Sequence, residues 1–234
     1  MRFALFSDIH GNLTGLRAVL KAIDSMGGAD IRIAAGDLVS GESGTDEIIA
    51  LLEEHQVVSV QGDSDTRTKL IELEAKALAE PGSTRSPDWF YRETREWLEA
   101  HLSPEGRAYL DALPLSRTLE AAPGQSLYVC HASPRGVGDR VCAPFCPAET
   151  VREAFASVDA QIIAFGHAHE AHVRLLDGRP FVNVAAVGFQ PEGLARLTIL
   201  DYTNHHWQIF QHCIPFDYAA QEALNRKCGV PSYP

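Results

Sequence analysis

Several things are scarce in this 234-residue chain, and each scarcity closes off a class of function. Lys and Arg are outnumbered 20 to 31 by Asp and Glu, giving a formal net charge of -11, and no basic stripe offsets it. A phosphate backbone would be repelled, so binding to a nucleic-acid duplex is not expected. Long apolar runs are missing too. The longest are strand-sized, and the opening MRFALFSDIH meets the charge of Asp8 too soon for a signal peptide or a membrane span. No membrane partner and a cytoplasmic location are therefore expected. Cysteine is confined to Cys130, Cys142, Cys146, Cys213 and Cys228, an odd number without C-x-x-C pairs. That excludes a zinc ribbon and reads as reduced thiols, with Cys142 meeting Cys146 across a loop as the alternative. There is no internal repeat and no low-complexity segment to build on.

What is present is enough for a substantial core: 45% of residues are hydrophobic and 22% charged, as in one large domain or one domain carrying an insertion. The first half alternates strand and helix signals. Arg2 to Ser7 is a short apolar run; after Asn12, a good N-cap, Leu13, Leu16, Leu20 and Ile23 keep helical spacing until Gly27 and Gly28. Ile31 to Ala35 reads as a buried strand, Asp46 to Glu54 as a helix and Val57 to Gln61 as the next strand. Such β-α-β units imply a parallel sheet with its chemistry beyond the carboxyl ends of the strands. From about 66 to 113 the pattern turns helical and charged, with Trp89, Phe90, Trp97 and Leu98 on one face, and reads as a helical insertion. Those aromatics either dock the helices on the core or line a substrate lid or a dimer face, which leaves a homo-oligomer open. Strands return at Ser126 to Cys130, then a helix over Ala148 to Val158, then a strand from Gln161 to Phe165. Val173 to Leu176 and Pro180 to Val184 flank Asp177-Gly178, a hairpin signal, and Leu194 to Leu200 pairs with Trp207 to Cys213.

One kind of place recurs along this pattern. Asp8 and His10 in FSDIHGN, Asp37 in AAGDLV, Asp63 in QGDSD, His131 in YVCHASP, and His167 and His169 in FGHAHE all stand at or just past a strand end. Any one of them reads equally as a solvated turn or a structural histidine. As a set, carboxylate and imidazole are the donors that hold Mn, Fe, Co, Ni or Zn. Three carboxylates and four imidazoles are too many for one metal and fit two that share a carboxylate, the arrangement used on phosphate esters. Alternation in extended backbone is expected to aim D-x-H and H-x-H at one centre.

These motifs resemble those of the calcineurin-like metallophosphoesterases, especially their small bacterial and archaeal branch, over nearly the whole chain. The family's D-x-H is similar to Asp8 and His10, its G-D to Gly36-Asp37, its G-N-H-[DE] to Gly62 to Asp65, its lone His to His131, its G-H-x-H to Gly166 to His169, and its N-P-G-S-V-G to the segment from Asn183. The resemblance implies an α/β fold, a four-layer α-β-β-α sandwich of two mixed sheets, as a single domain over 1–234 with the helical insertion. It implies two divalent metals, Mn favoured, with Asp37 bridging, Asp8, His10 and His169 on one, and Asp63, His131 and His167 on the other. The implied activity is hydrolysis of a small-molecule phosphoester by a hydroxide held between the metals, with a non-catalytic interaction module on the same fold as the alternative. Asp65 and Asn12 are expected to orient the ligand loops, and Arg67 and Arg135 either to bind substrate phosphate or to be solvated.

The chain departs from the family twice. Asp63 stands where the family has a neutral Asn, so the ligands carry three negative charges instead of two; this is expected to hold metal more firmly, favour harder ions and lower activity. Ser64 stands where the family has the His thought to protonate the leaving group, a contribution of about 10² to 10⁴ in rate for such acids. Serine cannot supply that proton near neutral pH. Substrates with good leaving groups, phosphodiesters or dinucleoside polyphosphates, are expected over simple monoesters unless His172, His205 or His206 substitutes.

Overall fold

The computed structural model describes residues 1–66 and 87–232. Strand β1 (Arg2–Phe6) leads to helix α1 (Leu13–Ser25), β2 (Ile31–Ala34), α2 (Asp46–Glu54) and β3 (Val58–Ser59). Helices α3 (Pro87–His101) and α4 (Pro104–Asp111) follow, then β4 (Ser116–Ala122), β5 (Gln125–Cys130), α5 (Ala148–Ala154) and β6 (Ile162–Phe165). The chain continues with β7 (His172–Leu176), β8 (Arg179–Asn183), β9 (Leu194–Thr203), β10 (His206–Pro215) and α6 (Tyr218–Cys228).

The strands make two five-stranded mixed sheets, ordered β10-β9-β1-β2-β3 and β4-β5-β6-β8-β7. Alternation along β1 shows the layering. Phe3 and Leu5 point into a core shared with Leu127, Val129, Ile162 and Val182 of the second sheet, while Ala4 and Phe6 pack against α1 and α2. Behind the second sheet, Ile163, Phe165 and Phe181 meet Val151 and Ala154 of α5. Three apolar seams between four layers give the α-β-β-α sandwich.

Local signals explain most elements. The Asn12 carboxamide oxygen caps α1 by accepting from the Gly15 N–H at 2.7 Å, and Leu16, Val19, Leu20 and Ile23 form its buried face. Asp177 and Gly178, at φ of 52° and 80°, make the tight turn of the β7–β8 hairpin. In the helical segment, Ser103 caps α4 and Leu98 and Leu110 pack on the α1–α2 side of the first sheet. The segment 67–86, which holds much of the expected insertion and Arg67, lies outside the described residues, as do the side chains of Trp89 and Phe90.

Four boundaries differ from expectation. β3 pairs over two residues only, because after Ser59 the chain leaves β2 to carry the Asp63 loop. α5 stops at Ala154, short of Val158. β4 and α6 were not foreseen. β4 is an edge strand with no fully buried side chain, and α6 buries Gln221 alone, so neither shows an apolar period.

Parallel pairing of β1, β2 and β3 in one sheet, and of β5 and β6 in the other, brings their carboxyl ends to one edge of the sandwich. The loops that follow those five strands carry every candidate ligand.

Candidate metal centre

The seven side chains converge into two groups. Asp8, His10, Asp37 and His169 each offer a donor atom within 4.8 Å of the others, as do Asp37, Asp63, His131 and His167, so that Asp37 is common to both. In the first group His10 Nε2 lies 3.4 Å from Asp37 Oδ2, and His169 Nε2 lies 3.2 Å from Asp8 Oδ1. In the second, His131 Nε2 stands 3.4 Å from Asp37 Oδ1 and 3.5 Å from Asp63 Oδ1, and His167 Nδ1 3.3 Å from Asp63 Oδ1. The grouping is the one implied by the family resemblance.

Convergence does not come from extended alternation. Asp8, His10, Asp37, His167 and His169 all sit at φ between 50° and 64°, so five of the seven adopt left-handed backbone. Each such residue costs about 1–2 kcal/mol, and strain of this kind gathers where geometry must be imposed. Loop-to-loop bonds hold it: the Asp8 N–H donates to Gly36 O at 3.0 Å, His10 N–H to Asp37 O at 3.0 Å, and His167 N–H to the Asp8 carboxylate at 3.0 Å. Two glycines permit the approach. A Cβ on Gly62 would stand 2.1 Å from Asp37 Oδ1, and one on Gly166 would stand 2.0 Å from Ser7 Oγ.

Tautomers follow from the acceptors. The His10 Nδ1 meets the Ser40 carbonyl at 3.0 Å, and the His131 Nδ1 meets the Ala35 carbonyl at 2.8 Å. A carbonyl only accepts, so Nδ1 carries a proton in both rings and Nε2 is turned to the carboxylates, able to bind a cation in the neutral ring or to donate to a carboxylate when it too is protonated. Ring nitrogens also face each other, His10 to His169 at 3.1 Å and His131 to His167 at 3.2 Å. Four imidazoles presenting nitrogens to one another among buried carboxylates form a donor set that suits divalent cations, and each oriented His has the outer partner such ligands use.

Charge is distributed unevenly. Burial lowers the His10 pKa to about 4, against the pull of Asp37 and Asp8. Burial also disfavours charge on His131, yet Asp37, Asp63 and Asp8 overcome it and raise its pKa well above the usual value. Burial would lift the Asp37 carboxyl, and the His131 and His10 rings beside it instead hold it well below the carboxylate range.

The remaining predicted residues are placed as follows. The Asp65 carboxylate accepts from the N–H groups of Leu38, Gly62 and Val39 at 2.9, 2.9 and 3.3 Å, tying the Asp37 loop to the Asp63 loop. Asn12, while capping α1, donates to Glu42 Oε1 at 3.1 Å. Ser64 is buried; its N–H donates to Asp37 Oδ1 at 2.7 Å and its hydroxyl to Val39 O at 3.0 Å, so the hydroxyl is turned into the protein. Arg135 pairs with Asp139 of its own loop at 3.0 Å rather than joining the clusters. His172 bonds Glu170 O at 2.9 Å and packs on Phe165, and His205 and His206 sit on the β9–β10 turn at the opposite end of the first sheet.

Sequence reasoning missed several neighbours. Phe189 leans on His10 at 4.5 Å between ring centroids, and its N–H donates to Glu42 Oε1 at 3.2 Å. Burial raises the Glu42 carboxyl to about 7. Arg95 and Arg107 reach the Asp63–Asp65 loop from α3 and α4. A charge inside an otherwise amphipathic helix was the only signal for these two.

Fold and cluster together define a class: an α/β sandwich with a His and Asp cluster able to bind metal at its strand ends. The chain belongs to the calcineurin-like phosphoesterase superfamily, whose domain model matches residues 1–205. No curated protein sequence matches it. Among solved structures it is similar to a hypothetical protein of Pyrococcus horikoshii OT3, with TM-score 0.80 and 19% identity over 99% of this chain and 94% of that one. A metallophosphoesterase from Sphaerobacter thermophilus follows, with TM-score 0.71 and 22% identity over 99% and 95%. A putative diadenosine tetraphosphatase is similar at TM-score 0.52 and 20% identity over 90% and 93%.

Proposed function

We propose that the two groups sharing Asp37 each hold one divalent cation, Mn by preference, and that the protein hydrolyses a small phosphodiester or dinucleoside polyphosphate. The whole chain then acts as one domain carrying the helical segment as an insertion. The observation that carries this reading is the pair of complete four-donor groups with a shared carboxylate. Bound cations would supply Lewis acidity and offset charge on the phosphoryl oxygens.

The residues do the positioning. Ser40 O and Ala35 O fix the His10 and His131 rings with Nε2 inward. Asp65 locks the relative position of the two loops that bring Asp37 and Asp63 together. The substrate preference rests on Ser64, whose hydroxyl is committed to Val39 O and cannot donate to a leaving oxygen. Substrates whose leaving group departs unprotonated are therefore favoured, and a nucleotide phosphate leaving from a phosphoanhydride is of that kind.

The test is Mn-dependent hydrolysis by the purified chain of an aryl phosphodiester, a dinucleoside tetraphosphate and an alkyl phosphomonoester. The diester and the tetraphosphate are expected to lead and the alkyl ester to trail by about 10² or more, the usual contribution of a general acid. Equal rates on all three would contradict the assignment of Ser64.

A further inference from the structure

Phe189 stands beside the first donor group and contributes no donor to it. Its N–H donates to Glu42 Oε1 at 3.2 Å, and the two residues before it are tied to the first ligand loop, Val187 N–H to Ser7 O at 3.0 Å and Gly188 N–H to Asp8 O at 2.8 Å. Its φ is 51°, and it is the one Phe, Tyr or Trp in left-handed backbone among the described residues. For a bulky side chain that conformation is an outlier, kept only where the surroundings impose a position. They impose this one from three sides. The Phe189 ring lies 4.5 Å from the His10 ring and 6.0 Å from the His169 ring, within 19° of parallel to the latter. Its tip rests on Gly41, where an added Cβ would collide with the ring.

Exposure shows where the centre is open. Among the seven donors His169 is the most accessible, with 34% of its side chain exposed against 21% for His167, 16% for Asp63 and 9% or less for the others. Phe189, packed beside His169, is 38% exposed. A ring that served only to shield His10 would be covered by its neighbours, because apolar surface left in water forfeits the gain of burial. This one is fixed in place and left open at the most accessible edge of the centre, as a platform for a flat ligand must be.

We propose that Phe189 is a specificity-determining residue: the open part of its ring stacks on a nucleobase of the substrate while the phosphate lies at the donor groups. This role rests on the reading of the cluster as a phosphoesterase centre, and it narrows the substrate to a nucleotide.

The experiment is calorimetric titration of the full chain with AMP and with ribose 5-phosphate, which carry the same phosphate and differ in the base. Each is titrated in Mn(II) and in chelator, for wild type, Phe189→Leu and Phe189→Trp. The readout is the ratio of the two affinities. Base–aromatic stacking should make wild type prefer AMP by about tenfold. Phe189→Leu, which keeps an apolar contact with His10, should bring the ratio close to one, and Phe189→Trp should keep or widen it.

Wild type without a preference for AMP, or a preference that survives Phe189→Leu, would overturn the proposal. Parallel weakening of both ligands in both variants, with the ratio unchanged, would likewise overturn it and leave Phe189 a brace for His10. Binding of both phosphates that is as tight in chelator as in Mn(II) would instead overturn the metal reading beneath it, while the ratio still judges Phe189 by itself. Binding of neither ligand would overturn both.

Discussion

Around His10 the supports are an aromatic ring and a largely uncharged network: Phe189 lies against the imidazole, Asn12 donates to Glu42, and α6 reaches in through Gln221 and Asn225. Around Asp63 and His131 the supports are charged, with Arg95 and Arg107 gripping three successive carbonyls of the ligand loop from α3 and α4. The donors are the same in the two groups, two carboxylates and two imidazoles each, so the donors do not explain the difference. The segments packed behind them do: α3 and α4 bring arginines to the Asp63 loop, and the Phe189 turn and α6 bring a ring and uncharged side chains to the His10 side. The bracing helix α6 lies beyond the residues that the family model matches.

The largest test of this contrast is to remove what the groups share. Asp37→Ala should abolish Mn binding at both, lowering metal-dependent hydrolysis by more than about a hundredfold, the upper end for loss of an outer partner alone. His169→Ala should remove one equivalent of Mn in a calorimetric titration and leave the other. Loss of both equivalents on His169→Ala would break the division into two groups.

The neutral brace can be sharpened through Glu42. Its carboxyl titrates near 7 in the fold against 4.5 unfolded, because burial disfavours its charge. Its contribution to stability is therefore fully present below about pH 4.5 and is lost as pH rises through 7. Glu42→Gln keeps a neutral acceptor for Asn12 and Phe189, and should raise stability at pH 8 by up to about 3 kcal/mol while leaving it nearly unchanged at pH 4. Denaturant melts in chelator at the two pH values check the sign, and a loss of stability at pH 8 would show that Glu42 is charged and paired instead.

The smallest expected effect concerns Ala185, whose φ of 59° matches the strain of the ligand residues without carrying a donor. Its N–H is held by Asn183 Oδ1 at 2.8 Å, and Asn183 in turn donates to Gly166 O at 2.6 Å, so this turn supports the His167 loop from outside. Ala185→Gly should stabilise the chain by about 0.5–1 kcal/mol, relief of the left-handed strain less the added freedom of the unfolded chain. Melting that is unchanged or lower would place the strain elsewhere.

Much of the centre was legible because each donor follows a strand, and strand ends are visible as apolar runs stopped by glycine. Asp37 after Gly36, Asp63 after Gly62 and His167 after Gly166 are readable in that way, and Asp8 and His131 as the first carboxylate or imidazole after an apolar run. The left-handed backbone at the ligands was not, since nothing in the residue types Asp and His announces a positive φ before the loops pack on one another. β4 and α6 escaped for a simpler reason: an edge strand and an outer helix bury too little to leave an apolar period. Arg95, Arg107 and Glu42 are charged residues whose burial depends on contacts between distant segments, so their roles appear only once those segments meet.

The central claim is that two cations share Asp37. Anomalous diffraction from crystals grown with Mn tests it most directly, by locating the metal without reference to activity. Two anomalous peaks are predicted, one within the Asp8, His10, His169 group and one within the Asp63, His131, His167 group, with Asp37 between them. A single peak, or two peaks of which either lacks Asp37 as a neighbour, would contradict the account.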